Sequence, residues 1–162
     1  MENKTTEAII HKFYSAFRKR DAKTMAECYH EQIEFSDPAF GTLNGTEAAL
    51  MWKMLCRSAK DLRLNYQIRS VSDSHARIQW EAFYTYGKNK RKVHNKVEAR
   101  LEFEDGKIIR HKDKYSLWKW AAQTMGLNGV IIGGTSFFKK RLQKQSREML
   151  QRFLSKKKTR TE

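Results

Sequence analysis

The chain has 162 residues, of which 40% are hydrophobic, and its formal net charge is +15. This length and composition indicate one globular domain with a proper core and exclude an intrinsically disordered chain. The N-terminus MENKTTEAII is too charged for a secretory signal, and the apolar stretch GLNGVIIGGTSFF is far shorter than the roughly 20 residues of a membrane-spanning helix. We therefore expect a soluble, cytoplasmic protein with Cys28 and Cys56 as buried free thiols.

The first part of the chain follows helical periodicity, with one short strand between helices. Apolar spacings of three and four predict an amphipathic helix from about Thr5 to Arg20. Asp21 can cap a second, shorter helix that presents Tyr29. Ile33 to Phe35 then predict a strand, and a third helix begins between Asn44 and Thr46.

The hydrophobic period changes to two in the middle of the chain. Apolar side chains alternate with charged or polar ones in LRLNYQI, IQWEAFYTY, VHNKVEARLEF and IRHKDKY, and EDGK before the last of these predicts a hairpin turn. Strands with one apolar side belong to an antiparallel sheet with one covered face. We therefore predict an α+β fold in which the N-terminal helices pack on the concave face of a curved, cone-shaped sheet.

Helical periodicity returns at Ser116, and four glycines between residues 126 and 134 then predict a hinge-like connection. A final helix is expected from about Ser136 to Leu154, folded back on the domain or paired with a second subunit. The chain thus divides into a domain of residues 1–125 and an extension of residues 126–162.

Positive charge is concentrated in two stretches. From Lys139 to Glu162 there are ten lysines and arginines against two glutamates, and KNKRK at 88–92 is expected at a hairpin tip. These stretches are either solvated surfaces or, in the C-terminal helix, a binding site for nucleic acid or an anionic membrane.

A few polar side chains interrupt the apolar rows of the predicted sheet. By strand parity these are Asn95, His111 and Asp113, and Asp37 joins them if its loop closes the open end of the cone. A hollow with a mostly apolar lining and a few polar anchors is typical of a ligand pocket. Burial there raises the pKa of an aspartate, so Asp113 and Asp37 are candidate acid/base residues with His111 as a helper.

Each candidate also has a purely structural interpretation. Asp113 can tie a helix to the sheet by a hydrogen bond to a tyrosine, and Asp37 before Pro38 can be an ordinary turn residue. Zinc-ligand spacing, a Walker loop, a dinucleotide fingerprint and a GxSxG motif are all absent from the sequence, so no metal or cofactor is expected. The expected lining of the pocket is Tyr14, Phe17, Tyr29, Phe35, Trp52, Trp80, Tyr84, Asn95, Val97 and Trp118.

The run FYSAFRKRDAKTMAECYHEQIEFSDPAFGTLNGTEAALMWKML, the strands after it and GKIIRHKDKYSLWKW resemble the nuclear transport factor 2-like superfamily. The closer resemblance is to its SnoaL-like branch of bacterial proteins, over roughly Thr5 to Met125. This resemblance implies a cystatin-like form of the predicted fold and a homodimer through the outer face of the sheet. The fold hosts isomerases, cyclases, hydrolases and plain binding proteins, so it does not fix an activity.

Three groups of relatives imply site residues in this sequence. Resemblance to ketosteroid isomerases implies a general base at Asp37, although their oxyanion-hole tyrosine falls at Phe13. Resemblance to limonene epoxide hydrolases implies Asp113, although their two other catalytic residues fall at Trp80 and Ala82. SnoaL-like cyclases imply Asp113 as the acid/base of a ring closure.

The sequence therefore favours a pocket for a small apolar or polycyclic compound, in which Asp113, Asp37 and His111 transfer protons. A protein that binds such a ligand without turnover is one alternative. An interaction module built on the basic C-terminal helix is the other.

Overall fold

The computed structural model describes residues 2–160, and the side chains of residues 4–160. Helices and strands follow in the order α1 (Glu2–Arg18), α2 (Ala22–Glu27), β1 (Tyr29–Asp37), β2 (Gly41–Asn44), α3 (Thr46–Ser58), β3 (Arg63–Val71), β4 (His75–Tyr86), β5 (Arg91–Glu104), β6 (Lys107–Lys114), α4 (Leu117–Met125), α5 (Leu127–Ile132) and α6 (Ser136–Lys158).

The strands form one mixed sheet in the order β2-β1-β6-β5-β4-β3. Strand β1 runs parallel to β6, and the other neighbouring pairs are antiparallel. The β5–β6 hairpin closes through Asp105 and Gly106, which have φ values of 51° and 71°. Positive φ at both central residues is typical of a tight hairpin turn, as EDGK predicts. The α+β class and the curved sheet are confirmed.

The core lies between the concave face of the sheet and helices α1 to α3. Alternate residues of β5 are buried, and Phe13 and Tyr14 of α1 are fully buried against them in the same cluster. Asp21 caps α2 by accepting a hydrogen bond from the Thr24 backbone, as predicted. Cys28 and Cys56 are both buried, also as predicted.

Three local features differ from the sequence analysis. Tyr29 belongs to β1 and not to the second helix, and a short strand, β2, follows the turn after β1. The glycine-containing connection folds as helix α5, because Gly129 packs so closely on Ala121 that an added Cβ would lie 1.9 Å from its carbonyl oxygen. Ile108 and not Ile109 is fully buried, because the β5–β6 register shifts just before the hairpin.

The final helix folds back on the domain. Leu150 of α6 is 1% exposed and belongs to the main core, while Phe138 packs with Val93 and Trp120 in a smaller cluster. Arg147 donates hydrogen bonds to the carbonyl oxygens of Phe40 and Thr42, so α6 is tied to the turn between β1 and β2. Within the described residues, no helix is both long and apolar enough to cross a membrane.

Candidate functional site

A chain of hydrogen bonds runs through the core and links three strands and one helix. Trp52 Nε1 of α3 donates to the Tyr29 hydroxyl of β1 at 2.7 Å, and that hydroxyl lies 2.8 Å from His111 Nδ1 of β6. His111 Nε2 lies 2.9 Å from Asp113 Oδ1, which also accepts from Trp80 Nε1 of β4 at 3.3 Å. His111 and Asp113 are 1% and 4% exposed, so this chain is shielded from water.

One assignment of donors and acceptors accounts for every hydrogen bond in this chain. Because the indole of Trp52 can only donate, the Tyr29 hydroxyl is free to donate its own proton to His111 Nδ1. With a proton on Nε2, His111 donates to Asp113 Oδ1, which also accepts from Trp80 Nε1. Asp113 is thereby a buried carboxylate held by two donors, both on Oδ1.

The neighbourhood of this chain is aromatic and densely filled. The rings of Phe13 and Phe35 contact that of His111, with centroids 5.5 and 5.1 Å apart. Phe17 lies between Trp52 and Trp80 at centroid distances of 4.8 and 5.3 Å. Such packing excludes water and strengthens every electrostatic interaction inside it.

Two surface hollows lie elsewhere. One, of about 230 Å³, is on the outer face of the sheet around Arg77 and Lys96, and the other, of about 500 Å³, lies beside α6 around Lys144 and Arg147. Neither of these hollows is lined by Asp113.

The Tyr14 hydroxyl lies in the same interior. Among the described residues it is the one buried side-chain polar atom without a hydrogen-bond partner. Burial raises the pKa of Tyr14 well above its ordinary value, and the charge of Asp113 raises it further. Tyr14 therefore keeps its proton and is a buried donor with no acceptor.

Asp37 combines both interpretations offered by the sequence. Its Oδ1 accepts hydrogen bonds from the backbone nitrogens of Ala39 and Phe40, at 2.9 and 2.6 Å, so it organises the turn around Pro38. Burial raises the pKa of Asp37 to about 7, with a further rise from the charge of Asp113, against the lowering effect of the two backbone bonds. A turn residue is thus also an acid that is half-ionised at neutral pH.

The structure brings together most of the predicted lining residues. The buried members around the hydrogen-bonded chain are Tyr14, Phe17, Tyr29, Phe35, Trp52, Trp80 and Val97. Asn95 and Tyr84 are partly buried. Trp118 does not belong to this interior: it is 46% exposed, and its Nε1 donates to the Val130 carbonyl, because α5 packs against α4 there.

Sequence reasoning missed two contributors. Tyr115 is partly buried, and burial followed by the charge of Asp37 raises its pKa well above the ordinary value, which places its hydroxyl in the same electrostatic environment. The sequence did indicate Tyr115, because it lies two residues after Asp113 and side chains with this spacing point to the same side of an extended chain. Gln143, which donates to the Pro38 carbonyl from α6, had no signal, because the docking of α6 leaves no local pattern. Among the described residues, no cluster of His, Cys, Asp and Glu is arranged to hold a metal ion.

Solved structures with the same fold are similar to this chain at low identity. A protein of Xanthomonas campestris pv. campestris, proposed to be a polyketide cyclase, is 16% identical, with 76% of this chain and 98% of that chain covered and a TM-score of 0.68. An LEH-like epoxide hydrolase of M. tuberculosis is 15% identical, with 82% of this chain and 98% of that chain covered and a TM-score of 0.61. A proposed ketosteroid isomerase of Kribbella flavida DSM 17836 is 16% identical, with 70% of this chain and 79% of that chain covered and a TM-score of 0.55.

These likenesses show the fold and leave the activity open, since one fold carries many chemistries. No curated protein matches the sequence. The SnoaL-like domain, in contrast, matches residues 10–111, which is more than half of the chain. Together with the curved six-stranded sheet, this match identifies the chain as a member of the SnoaL-like domain family within the nuclear transport factor 2-like superfamily.

Proposed function

We propose that the interior between helices and sheet binds a small apolar or polycyclic compound and transfers protons on it. The observation that carries this proposal is the Tyr14 hydroxyl, a buried donor without a partner among the described residues. Such a donor costs free energy, because it has given up its hydrogen bond to water. A ligand oxygen that accepts from Tyr14 removes this cost, which favours a carbonyl or hydroxyl compound.

The carboxyl groups supply the acid/base chemistry. Both hydrogen bonds of Asp113 go to Oδ1, so Oδ2 is the oxygen that takes a proton from the ligand. His111 is a positioning residue, since its Nε2 proton holds the carboxylate while Tyr29 fixes its ring. The proton on Asp113 Oδ2 returns to the product, which restores the carboxylate. Asp37, with a pKa of about 7, is a second group that can take up or release a proton at neutral pH.

Entry of the ligand requires a change at one end of the interior. Gln143 and Arg147 of α6 hold the carbonyl oxygens of Pro38 and Phe40, next to Asp37. Because aromatic side chains fill the space around His111, binding must move α6 or repack these rings. We therefore propose that α6 opens during ligand exchange.

The test starts with the ligand and proceeds to Asp113. Native mass spectrometry of the gently purified protein looks for a bound compound, and a thermal-shift panel of polycyclic ketones and epoxides looks for stabilisation. With a compound in hand, Asp113→Asn should lower turnover at least about 100-fold, because the amide still accepts from His111 and Trp80 but cannot carry the proton. Binding of the compound should persist in this variant.

The outcomes separate catalysis from simple binding. If Asp113→Asn leaves turnover unchanged, Asp113 is not the group that transfers the proton. If a bound compound is never converted, the protein binds a ligand without turnover, which is the first alternative in the sequence analysis. If no compound binds, or if Tyr14→Phe binds a compound as tightly as the wild type, a pocket at Tyr14 is refuted. Tyr66→Phe is the matched control, because the Tyr66 hydroxyl bonds the exposed His11.

The resemblance also leads us to propose a homodimer through the outer face of the sheet and a cytoplasmic location. That face carries ion pairs formed within the chain, such as Arg77–Glu98 at 2.9 Å and Arg110–Glu102 at 2.9 Å. A dimer there would be polar and sensitive to salt. Light scattering at low and high salt tests it, and a monomer at both would refute it.

A further inference from the structure

Helices α4 and α5 and the start of α6 present an exposed apolar surface that the proposed function does not use. We define it by six side chains and call it the α5 patch. Three of them are very exposed, Leu127 at 75%, Phe137 at 70% and Ile131 at 69%, and the others are between 41% and 46% exposed. The six members are Trp118, Met125, Leu127, Val130, Ile131 and Phe137. Large apolar side chains gathered in this way mark an interaction surface.

The α5 patch is rigidly held. Gly129 packs directly against the backbone of Ala121, so α5 lies closely on α4. Trp118 Nε1 donates to the Val130 carbonyl at 2.9 Å, and Gly134 lies against the Trp118 ring. On α5, Leu127, Val130 and Ile131 are spaced by three and four residues, which places them on one side of the helix. The apolar side chains are therefore held outward by a packed structure.

Positive charges adjoin this surface. Lys119 of α4 and the run Lys139–Arg141 of α6 are exposed and adjoin it in sequence. The basic tip of the β4–β5 hairpin reaches it as well, since Arg91 Nε donates to the Gln123 carbonyl and its guanidinium lies next to Gly126. Between Lys114 and Arg147 the sequence has seven lysines and arginines and no aspartate or glutamate.

We propose that the α5 patch docks on the surface of a bilayer that contains anionic lipid. Such a surface supplies both complements at once: an acyl boundary for Leu127, Ile131 and Phe137, and negative headgroups for the cations around them. A second copy of this chain would set one basic rim against another, and like charges in an interface are unfavourable. Nucleic acid would engage the cations and leave the apolar side chains in water.

The experiment is co-sedimentation of the full chain with vesicles of phosphatidylcholine, with and without about 30 mol% phosphatidylglycerol. The wild type should bind the anionic vesicles and bind the neutral ones at least about tenfold more weakly. Leu127→Asp/Ile131→Asp should lower partitioning to anionic vesicles at least about tenfold, because two apolar anchors become charges. Met149→Asp is the control for one new negative charge outside the patch: Met149 is a 49% exposed apolar residue on α6, and the effect of its substitution should stay within about twofold.

Two charge-reversal variants test the role of the lysines beside the α5 patch. Lys139→Glu/Lys140→Glu should weaken binding to anionic vesicles about tenfold. Lys19→Glu/Lys23→Glu makes the same change in net charge just after α1 and in α2, and should have a clearly smaller effect. Circular dichroism checks that every variant is folded.

Four results would overturn the inference: no binding to anionic vesicles, equal binding to neutral ones, full binding by Leu127→Asp/Ile131→Asp, or equal losses from both charge pairs. Light scattering tests whether a second copy of the chain occupies the patch instead. If the wild type is a dimer and Leu127→Asp/Ile131→Asp is a monomer, the patch is a subunit interface and membrane docking is refuted.

Discussion

At the scale of single residues, two tyrosines of the core illustrate opposite hydrogen-bonding situations. Tyr29 accepts from Trp52 and bonds His111, so its hydroxyl satisfies two other buried groups. Tyr14, equally buried, satisfies none among the described residues. An unpaired buried polar group costs free energy, whereas a paired one is roughly balanced against its lost hydration. Removing the same atom from the two residues should therefore have opposite effects.

Tyr29→Phe should lower the free energy of unfolding by about 2–3 kcal/mol, because Trp52 Nε1 and His111 Nδ1 are left without partners. Tyr14→Phe should leave it unchanged or raise it by about 1 kcal/mol, since an unpaired hydroxyl is removed. Urea denaturation measures both, with Tyr66→Phe as the control, because the Tyr66 hydroxyl bonds the exposed His11. Equal losses in Tyr14→Phe and Tyr29→Phe would show that Tyr14 has a partner.

The raised pKa of Asp37 gives a pH-dependent prediction. A carboxyl group whose pKa rises from 3.8 to about 7 on folding binds its proton more tightly in the folded state, so its contribution to stability is full below pH 4 and is lost as the pH rises toward 7. Asp37→Asn keeps an oxygen for the bonds from Ala39 and Phe40 and removes the ionisation. Its free energy of unfolding should be close to that of the wild type near pH 4 and exceed it by about 4 kcal/mol at pH 8, which is the free energy that corresponds to a rise in pKa from 3.8 to about 7.

Asp61 provides the control of opposite sign for this measurement. Hydrogen bonds from Thr85 lower the pKa of this exposed carboxyl, so its contribution is present at neutral pH and is lost in acid. Asp61→Asn should therefore reduce stability above pH 4. A difference between Asp37→Asn and the wild type that does not change between pH 4 and pH 8 would contradict a shifted pKa at Asp37.

At the scale of elements, the sequence predicted what depends on local pattern and missed what depends on distant contacts. Period-two alternation placed His111 and Asp113 inward, and Asp21 marked the start of α2. The contact of Trp80 with Asp113 spans a whole strand, β5, and is possible because the intervening residue that pairs with Asp113 is the small Ala99. No local pattern announces such a contact.

The C-terminal elements show the same limit. From the sequence the four glycines predict a hinge, because glycine is common in turns and the sequence does not show what packs against it. In the fold, Gly129 instead permits the close approach of α5 to Ala121, which any Cβ would prevent. The place of α6 depends on carbonyl groups of Phe40 and Thr42, which are backbone atoms with no sequence signature of their own.

Arg147 is the residue that should control the mobility of α6. It spans from α6 to two carbonyl oxygens beside Asp37, at 3.1 Å each, while Leu150 keeps the middle of the helix in the core. Arg147→Ala should accelerate amide exchange in the first half of α6 about tenfold, because local opening no longer breaks these bonds. Hydrogen-exchange mass spectrometry measures it, and Arg152→Ala, whose side chain bonds only its own helix at Glu148, should change little. Equal amide exchange of α6 in both variants would show that the hydrogen bonds of Arg147 do not hold α6 on the domain.

At the scale of the whole molecule, the covered concave face of the sheet and the basic surface lie in different parts of the domain. Helices α1 to α3 fill the concave face, and α6 covers the turn that holds Asp37. The excess of positive charge lies on surfaces outside this core, so the buried Asp113 and the basic surface are separate features of one chain. The two proposed binding events would both involve α6, which carries Phe137 of the α5 patch and Arg147 at the turn that holds Asp37.

The two thiols report on the integrity of this closed core. Burial raises the pKa of Cys28 and of Cys56 to about 11, so at pH 8 only about one thiol in a thousand is ionised even before access is considered. Both lie in the main cluster, and Cys56 Sγ contacts Met25 Sδ at 3.9 Å. Alkylation by iodoacetamide at pH 8 should therefore be negligible in the native protein and should rise with urea along the same transition as circular dichroism. Labelling of either cysteine well below that transition, followed by mass spectrometry of the peptides, would locate a part of the core that opens before global unfolding.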